Sequence, residues 1–333
     1  MATNERTARW PARLHVVTGK GGTGKTSVAA ALALALAEGG RRTLLVEVEG
    51  RQGIAQLFEL QPLPYQELRI ATVPSRSAFS PALGGGGAAD GEVRALAVDP
   101  EEALLEYLEM FYRLGAAGRA LRKVGAIDFA TTIAPGLRDV LLTGKVKEST
   151  TRARDGKRVY DAVVLDAPPT GRIGRFLNVT AETARLAKMG PIKSQSEGVA
   201  SLLRSPITSV HVVTLLEEMP VQETLDAIAE LNSLQIPVGR VIINGARPPL
   251  ATVGRVTKAE LRRGLTSAGL PADPAVVATL QDEVRADLTR RELEESLRAE
   301  LADLGRPMVE LPLLPDGVDR AGLDELAQRL LTV

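Results

Sequence analysis

The octet Gly19-Lys20-Gly21-Gly22-Thr23-Gly24-Lys25-Thr26 constrains this chain more than any other stretch. An apolar, β-branched run, Leu14-His15-Val16-Val17-Thr18, leads into it, and an alanine- and leucine-rich stretch from Lys25 to Glu38 follows. Strand, glycine turn and helix in that order predict the first half of a strand–helix–strand unit, the building block of parallel sheets. The octet also fits the phosphate-binding loop pattern of two glycines separated by four residues and followed by Lys and Thr. Glycines let successive backbone N–H groups turn inward around phosphate oxygens, and the helix start adds its positive dipole. Lys25 then faces the β- and γ-phosphates, and the Thr26 hydroxyl is placed to hold Mg²⁺. The expected nucleotide contacts are Gly19, Gly21, Gly22, Thr23, Gly24, Lys25, Thr26 and the adjoining Ser27.

Gly39-Gly40 ends the helix, and Arg42-Thr43-Leu44-Leu45-Val46-Glu47-Val48 reads as the next strand. Ala162–Leu165, Ser209–Val213 and Pro237–Ile243 are further strands, near-continuously apolar as in a sheet covered on both faces. Pro74 to Gly91, which includes Gly84 to Gly87, is a loop by composition. Pro100-Glu101-Glu102 opens a helix whose Leu104 and Leu108 share a face. The expected organisation is one α/β domain over residues 1–333, a P-loop NTPase with a mostly parallel central sheet flanked by helices. A helical subdomain at about 92–147 and a short helical segment at about 189–205 are inserted into it. A charged helical stretch covers about Thr257 to Leu304.

A second candidate site is Val164-Leu165-Asp166-Ala167-Pro168-Pro169-Thr170-Gly171. An aspartate at the end of a buried strand is unfavourable without a partner, and a phosphate-bound Mg²⁺ is the natural one, the Walker B role. The bland alternative is an aspartate that caps a turn. His15 and His211 both fall in strands, with no second histidine at ligand spacing, and read as core or edge residues rather than metal ligands.

Composition removes several functions. With no cysteine the chain has no thiolate metal site, iron–sulfur cluster or thiol nucleophile. Lys+Arg and Asp+Glu both number 41, so no global field draws it to nucleic acid or acidic lipid. No apolar run is long enough to span a bilayer, and the lead-in with Arg6, Arg9 and Arg13 lacks a signal-peptide pattern. Leu323 to Leu331 has mixed charge and no basic face, so no stable membrane anchor is expected and the cytoplasm is the expected location.

With Lys20, the loop resembles the deviant Walker A loop of the dimeric ATPases that include the partition, cell-division-site and nitrogenase-reductase ATPases. Asp166-Ala167-Pro168-Pro169-Thr170-Gly171 resembles the second switch of the ArsA-like family, which includes arsenite-pump ATPases and targeting factors for tail-anchored membrane proteins. The likeness covers nearly the whole chain and is closest to actinobacterial ArsA-like proteins. It implies ATP as substrate with Mg²⁺, and a homodimer or a heterodimer with a related chain. It also implies that Lys20 reaches the nucleotide of a partner copy, that Asn244 contacts adenine and that the loop at Pro315 covers the base.

This sequence departs from the family in the first switch, where an aspartate followed by Pro-Ala-His is usual. The matching segment here is Glu47-Val48-Glu49-Gly50-Arg51-Gln52-Gly53. By register Glu49 takes the water-positioning role, with Glu47 as the rival. Without cysteines the family's metalloid triad cannot form. What remains is an ATP-hydrolysing switch acting on an unidentified client or membrane partner, with a membrane-protein client as one option and nucleic acid excluded. The alternative is a nucleotide-gated client-binding module with little intrinsic hydrolysis.

Overall fold

Residues of alternating parity along each central strand enter two different cores, which is why these strands read as unbroken apolar runs. Leu14 and Val16 of β1 (Leu14–Gly19) face one core, and Val17 faces the other. β2 (Arg42–Glu47) divides in the same way, Leu44 and Val46 against Leu45. The structure, a computed structural model, describes residues 9–75, 89–112, 135–178, 191–248 and 256–332. Most of the glycine-rich loop expected from Pro74 to Gly91, part of the expected helical subdomain and Met189 lie outside these residues.

The helix after the loop, α1 (Lys25–Ala37), is buried continuously from Val28 to Ala37. A helix that is apolar all round has to be enclosed, and its alanines let it lie close to the sheet. The short α2 (Gly53–Leu57) follows β2. β3 (Leu68–Val73) and β4 (Gly91–Ala97) complete one side of the sheet, and β3 is antiparallel to β4. Then come α3 (Pro100–Tyr112), α4 (Pro135–Thr151) and the two-residue strands β5 (Ala153–Arg154) and β6 (Lys157–Arg158). β7 (Ala162–Asp166), α5 (Thr170–Leu177), α6 (Pro191–Leu203), β8 (Thr208–Thr214) and α7 (Glu218–Ser233) return the chain to the centre. It ends with β9 (Val238–Ala246), α8 (Lys258–Ser267), α9 (Pro274–Ala302), β10 (Met308–Pro312) and α10 (Arg320–Thr332).

The strand order of the eight-stranded sheet is β10-β9-β8-β1-β7-β2-β4-β3. All the described pairings in this sheet are parallel except that of β3 with β4. α1 and α10 cover one face, while α3 to α7 contribute to the core on the other. This is the mostly parallel, helix-flanked α/β architecture expected of a P-loop NTPase. One boundary needs correction: the segment from about 92, expected to be helical, begins as β4, and its helix starts only at Pro100. Glu92 and Arg94 obscured that strand, because their side chains pair at a polar margin of the sheet while Val93, Ala95 and Leu96 are buried.

Candidate nucleotide site

β1 lies between β8 and β7 in the middle of the sheet, so the turn after Gly19 emerges at its carboxyl edge. In parallel α/β sheets ligands bind outside that edge. A Cβ at Gly19 would stand 2.2 Å from the Val213 carbonyl oxygen of β8, so only glycine allows this approach. Thr23 closes the turn: its amide and hydroxyl both donate to the Lys20 carbonyl, at 3.3 and 2.9 Å. Gly22 and Gly24 sit at φ +90° and +85°, conformations that L side chains rarely adopt. A Cβ at Gly21 or Gly22 would meet nothing within 4 Å, so these backbones border open space.

Lys25, the first residue of α1, is buried, and its ammonium lies 3.5 Å from the Lys20 carbonyl oxygen. Burial lowers its pKa, while the nearby Asp166 and Glu49 charges act in the opposite direction. One residue on, the Thr26 hydroxyl donates to Asp166 Oδ2 at 2.7 Å. Asp166 ends β7 between Val17 and Glu47 on the flanking strands. Burial pushes its pKa up to about 6, against the pull of the Thr26 hydrogen bond. A buried carboxylate short of positive charge beside a hydroxyl is a hard-oxygen pair of the kind Mg²⁺ prefers. Mg²⁺ normally takes one or two protein oxygens and completes its shell with water and phosphate. The described residues contain no cluster of three or more His, Cys, Asp or Glu that would make a closed metal cage. The loop with open space beside its glycines, and the Thr26–Asp166 pair, therefore fit a magnesium-bound nucleotide.

The two first-switch glutamates differ sharply. Glu47 is buried, and its carboxylate accepts from the Gly53 and Ile54 amides at 3.3 and 3.2 Å. Glu49 follows the strand and has Arg51 at 3.6 Å and Arg172 at 3.4 Å. It contributes to the field at both Lys25 and Asp166. Asn244, near the end of β9, donates to the Thr23 carbonyl at 2.9 Å. Its amide nitrogen would also stand 2.3 Å from a Cβ at Gly24. Ser27 is partly buried in the first turn of α1. Pro315 is exposed beyond Leu313, whose amide donates to the Ala246 carbonyl at 2.9 Å.

Lys20 pairs with Glu223 of α7 in its own chain. The other oxygen of that carboxylate accepts from the Thr170 hydroxyl at 2.8 Å, and both contacts hold the Glu223 pKa below the usual carboxylate range. Glu223 thus joins the loop to the start of α5, just after Pro168-Pro169. Sequence reasoning missed it, because a glutamate in an amphipathic helix carries no local sign of a partner 203 residues away.

Residues 12–205 match the family described as anion-transporting ATPase. The chain is 53% identical to ATPase BagA of Mycobacterium tuberculosis, over 96% of this chain and 94% of that protein. It is 28% identical to an arsenical pump-driving ATPase of Escherichia coli, over 79% of this chain and 44% of that protein. A similar protein of the same description from Acidiphilium multivorum is 25% identical, over 69% of this chain and 39% of its own length.

Proposed function

The chain belongs to the anion-transporting ATPase family and is an ATPase; from that premise we propose that it is a magnesium-dependent dimeric switch acting on an unidentified client or membrane partner. The observation that carries the nucleotide part is the convergence of Lys25, the Thr26–Asp166 pair and Glu49 beside a glycine loop bordering open space. In this reading the amides of Gly21, Gly22 and Gly24 and the Lys25 ammonium bind the phosphates, with Gly19, Thr23 and Ser27 shaping the loop. Thr26 and Asp166 hold Mg²⁺, which when bound neutralises charge on the phosphate oxygens. Asn244 and the loop at Pro315 border the base and favour adenine.

Glu49 is the residue proposed to align the attacking water. Glu47 is the poorer candidate because both its oxygens already accept backbone hydrogen bonds at α2. Phosphoryl transfer depends mainly on positioning, and Glu49 can take up that role once its carboxylate turns from Arg51 and Arg172 to water. The same two arginines favour a second reading, a nucleotide-gated client-binding module with little intrinsic hydrolysis, because a restrained carboxylate gives slow basal turnover.

Lys20 is proposed to serve the nucleotide of a second copy, or of a related chain. To do so it has to leave Glu223, so assembly competes with an ion pair inside the chain. We read residues 1–333 as one ATPase domain in which α3, α4 and α6 form the client-facing subdomain. The metalloid coupling named for the Escherichia coli relative is not carried over, since this chain has no cysteine. Phosphate release and light scattering, each with and without ATP and Mg²⁺, test the proposal on wild type and Lys20→Ala. ATP-dependent dimerisation and turnover in wild type, both lost in Lys20→Ala with ATP binding retained, is the expected pattern. Wild-type turnover by a strictly monomeric protein defeats the dimeric switch.

A further inference from the structure

Towards the edge of the sheet opposite the nucleotide loop lies a cavity of about 310 Å³ whose lining cations outnumber the carboxylates that meet them among the described residues. β2 begins there at Arg42, about 17 Å along the strand from its end on the loop's side of the sheet, and Arg94 from the middle of β4 forms another wall. Arg42, Arg94, Arg154, Lys157 and Arg158 line it beside Tyr160, with Glu67 as the carboxylate in the wall. Glu67 is already engaged, by Arg152 and by the Tyr160 hydroxyl at 2.7 Å. Glu92 serves two guanidiniums at once, Arg94 at 2.6 Å and Arg42 at 3.3 Å. Arg154, Lys157 and Arg158 are exposed and make no ion pair with any described residue.

Backbone geometry forces the like charges together. Asp155 and Gly156, both at positive φ, form the two-residue turn that joins β5 to β6, and this fixes Arg154 directly across from Lys157. On the neighbouring ladder Arg69 stands directly across from Arg94. Like charges facing each other across a ladder destabilise a sheet; Glu92 compensates Arg94, but the Arg154–Lys157 pair has no carboxylate partner among the described residues. A bound polyanion removes that penalty, and guanidinium groups match phosphate geometry through paired N–H donors. The concave shape suits a compact anion, and the hairpin tip, Asp155-Gly156, offers no apolar side chain for insertion into lipid.

We infer that this cavity binds a ligand carrying two or more phosphate groups, either free in solution or as an exposed lipid headgroup. The test keeps the nucleotide loop filled with ADP and titrates inorganic tripolyphosphate into the full chain by calorimetry. Saturable one-to-one binding is expected. It should weaken at least tenfold in Arg154→Gln/Lys157→Gln/Arg158→Gln, whose exposed changes leave ADP affinity as in wild type. A parallel arm sediments the protein with phosphatidylcholine vesicles with and without phosphatidylinositol bisphosphate. Capture by the phosphorylated vesicles, weakened in the same variant, assigns a lipid source; tripolyphosphate binding without capture assigns a soluble one. If neither probe binds, or if the triple variant binds both as tightly as wild type, the inference is overturned.

Discussion

Acidifying this protein from pH 7 to pH 5 should weaken its fold through two buried histidines. The Arg240 amide donates to His211 Nδ1 at 3.1 Å, so that nitrogen is an acceptor and the proton of neutral His211 is on Nε2. Nε2 of His211 lies 3.1 Å from His15 Nδ1, and His15 Nε2 lies 3.0 Å from the Ala12 carbonyl oxygen. One arrangement satisfies all three contacts: His211 donates to His15, and His15 donates to Ala12. A proton added to His15 Nδ1 sets two donors face to face across the shared contact, and one added to His211 Nδ1 faces the Arg240 amide, itself a donor. Trp10 stands edge-on to both rings, and Arg240 and Arg41 add positive charge nearby.

Burial lowers the His15 pKa from 6.5 to about 4, and the His211 pKa falls well below 6.5 for the same reason. The unfolded chain therefore takes up protons first as pH drops, so stability is full above about 6.5 and is lost towards 4. His15 alone then removes about 2 kcal/mol between pH 7 and pH 5 by linkage, roughly a twentyfold fall in the folding constant. Asp166 works in the opposite sense, since its raised pKa of about 6 makes the folded state gain a proton before the unfolded one. Comparison with His15→Gln/His211→Gln cancels that contribution, which is common to both proteins. Urea midpoints measured from pH 7.5 to 4.5 should fall more steeply for wild type than for the double variant. Proton resonances of the chain's two histidines give an independent reading. Parallel midpoint curves, or either ring titrating near 6.5, would falsify the reasoning.

Four further outcomes follow from the site. Lys25→Ala should abolish magnesium–ATP binding measured by calorimetry, and an unchanged affinity removes this lysine from the phosphates. Glu49→Gln should keep ATP binding but lower phosphate release about a hundredfold or more, as for other positioned acid–base groups. Glu47→Gln should instead lose about 1 kcal/mol or more of stability through its two amide hydrogen bonds, with a smaller effect on turnover; the reverse pattern exchanges the two roles. Glu223→Gln should release Lys20 and lower the ATP concentration needed for dimerisation in light scattering; an unchanged midpoint means that the ion pair does not restrain assembly.

Much of this was legible in the residues, wherever one short segment carried the whole signal. Strand, glycine loop and helix from Leu14 to Ala37 are local in sequence, and so is the apolar run that ends at Asp166. Contacts that a side chain makes outside its own element, whether a few residues on or across the chain, were not legible. Nothing near Glu47 announces that its carboxylate turns to the amides of Gly53 and Ile54, and nothing near Glu223 announces Lys20. β3 and β4 were missed because an edge of the sheet alternates buried and solvated positions, so Leu68, Arg69 and Arg94 dilute the apolar signal. The His15–His211 contact arises because β1 and β8 are neighbours, and strand order is a property of the whole chain.

The long helix α9 has a consequence for how the molecule comes apart. Its 29 residues extend about 43 Å, yet only Val277, Leu297 and Leu301 are buried, and α8 beside it buries no residue at all. Between those anchors the helix relies on ion pairs within itself, such as Arg291 with Asp287 at 2.9 Å and Arg290 with Glu294 at 3.2 Å. Surface pairs of this kind contribute only a few tenths of a kcal/mol each. The middle of the arm can therefore open while the sheet stays intact, and its amides should exchange with deuterium far sooner than those of α1. Salt should hasten that exchange while leaving α1 unaffected, so ionic strength alone loosens the arm and not the sheet.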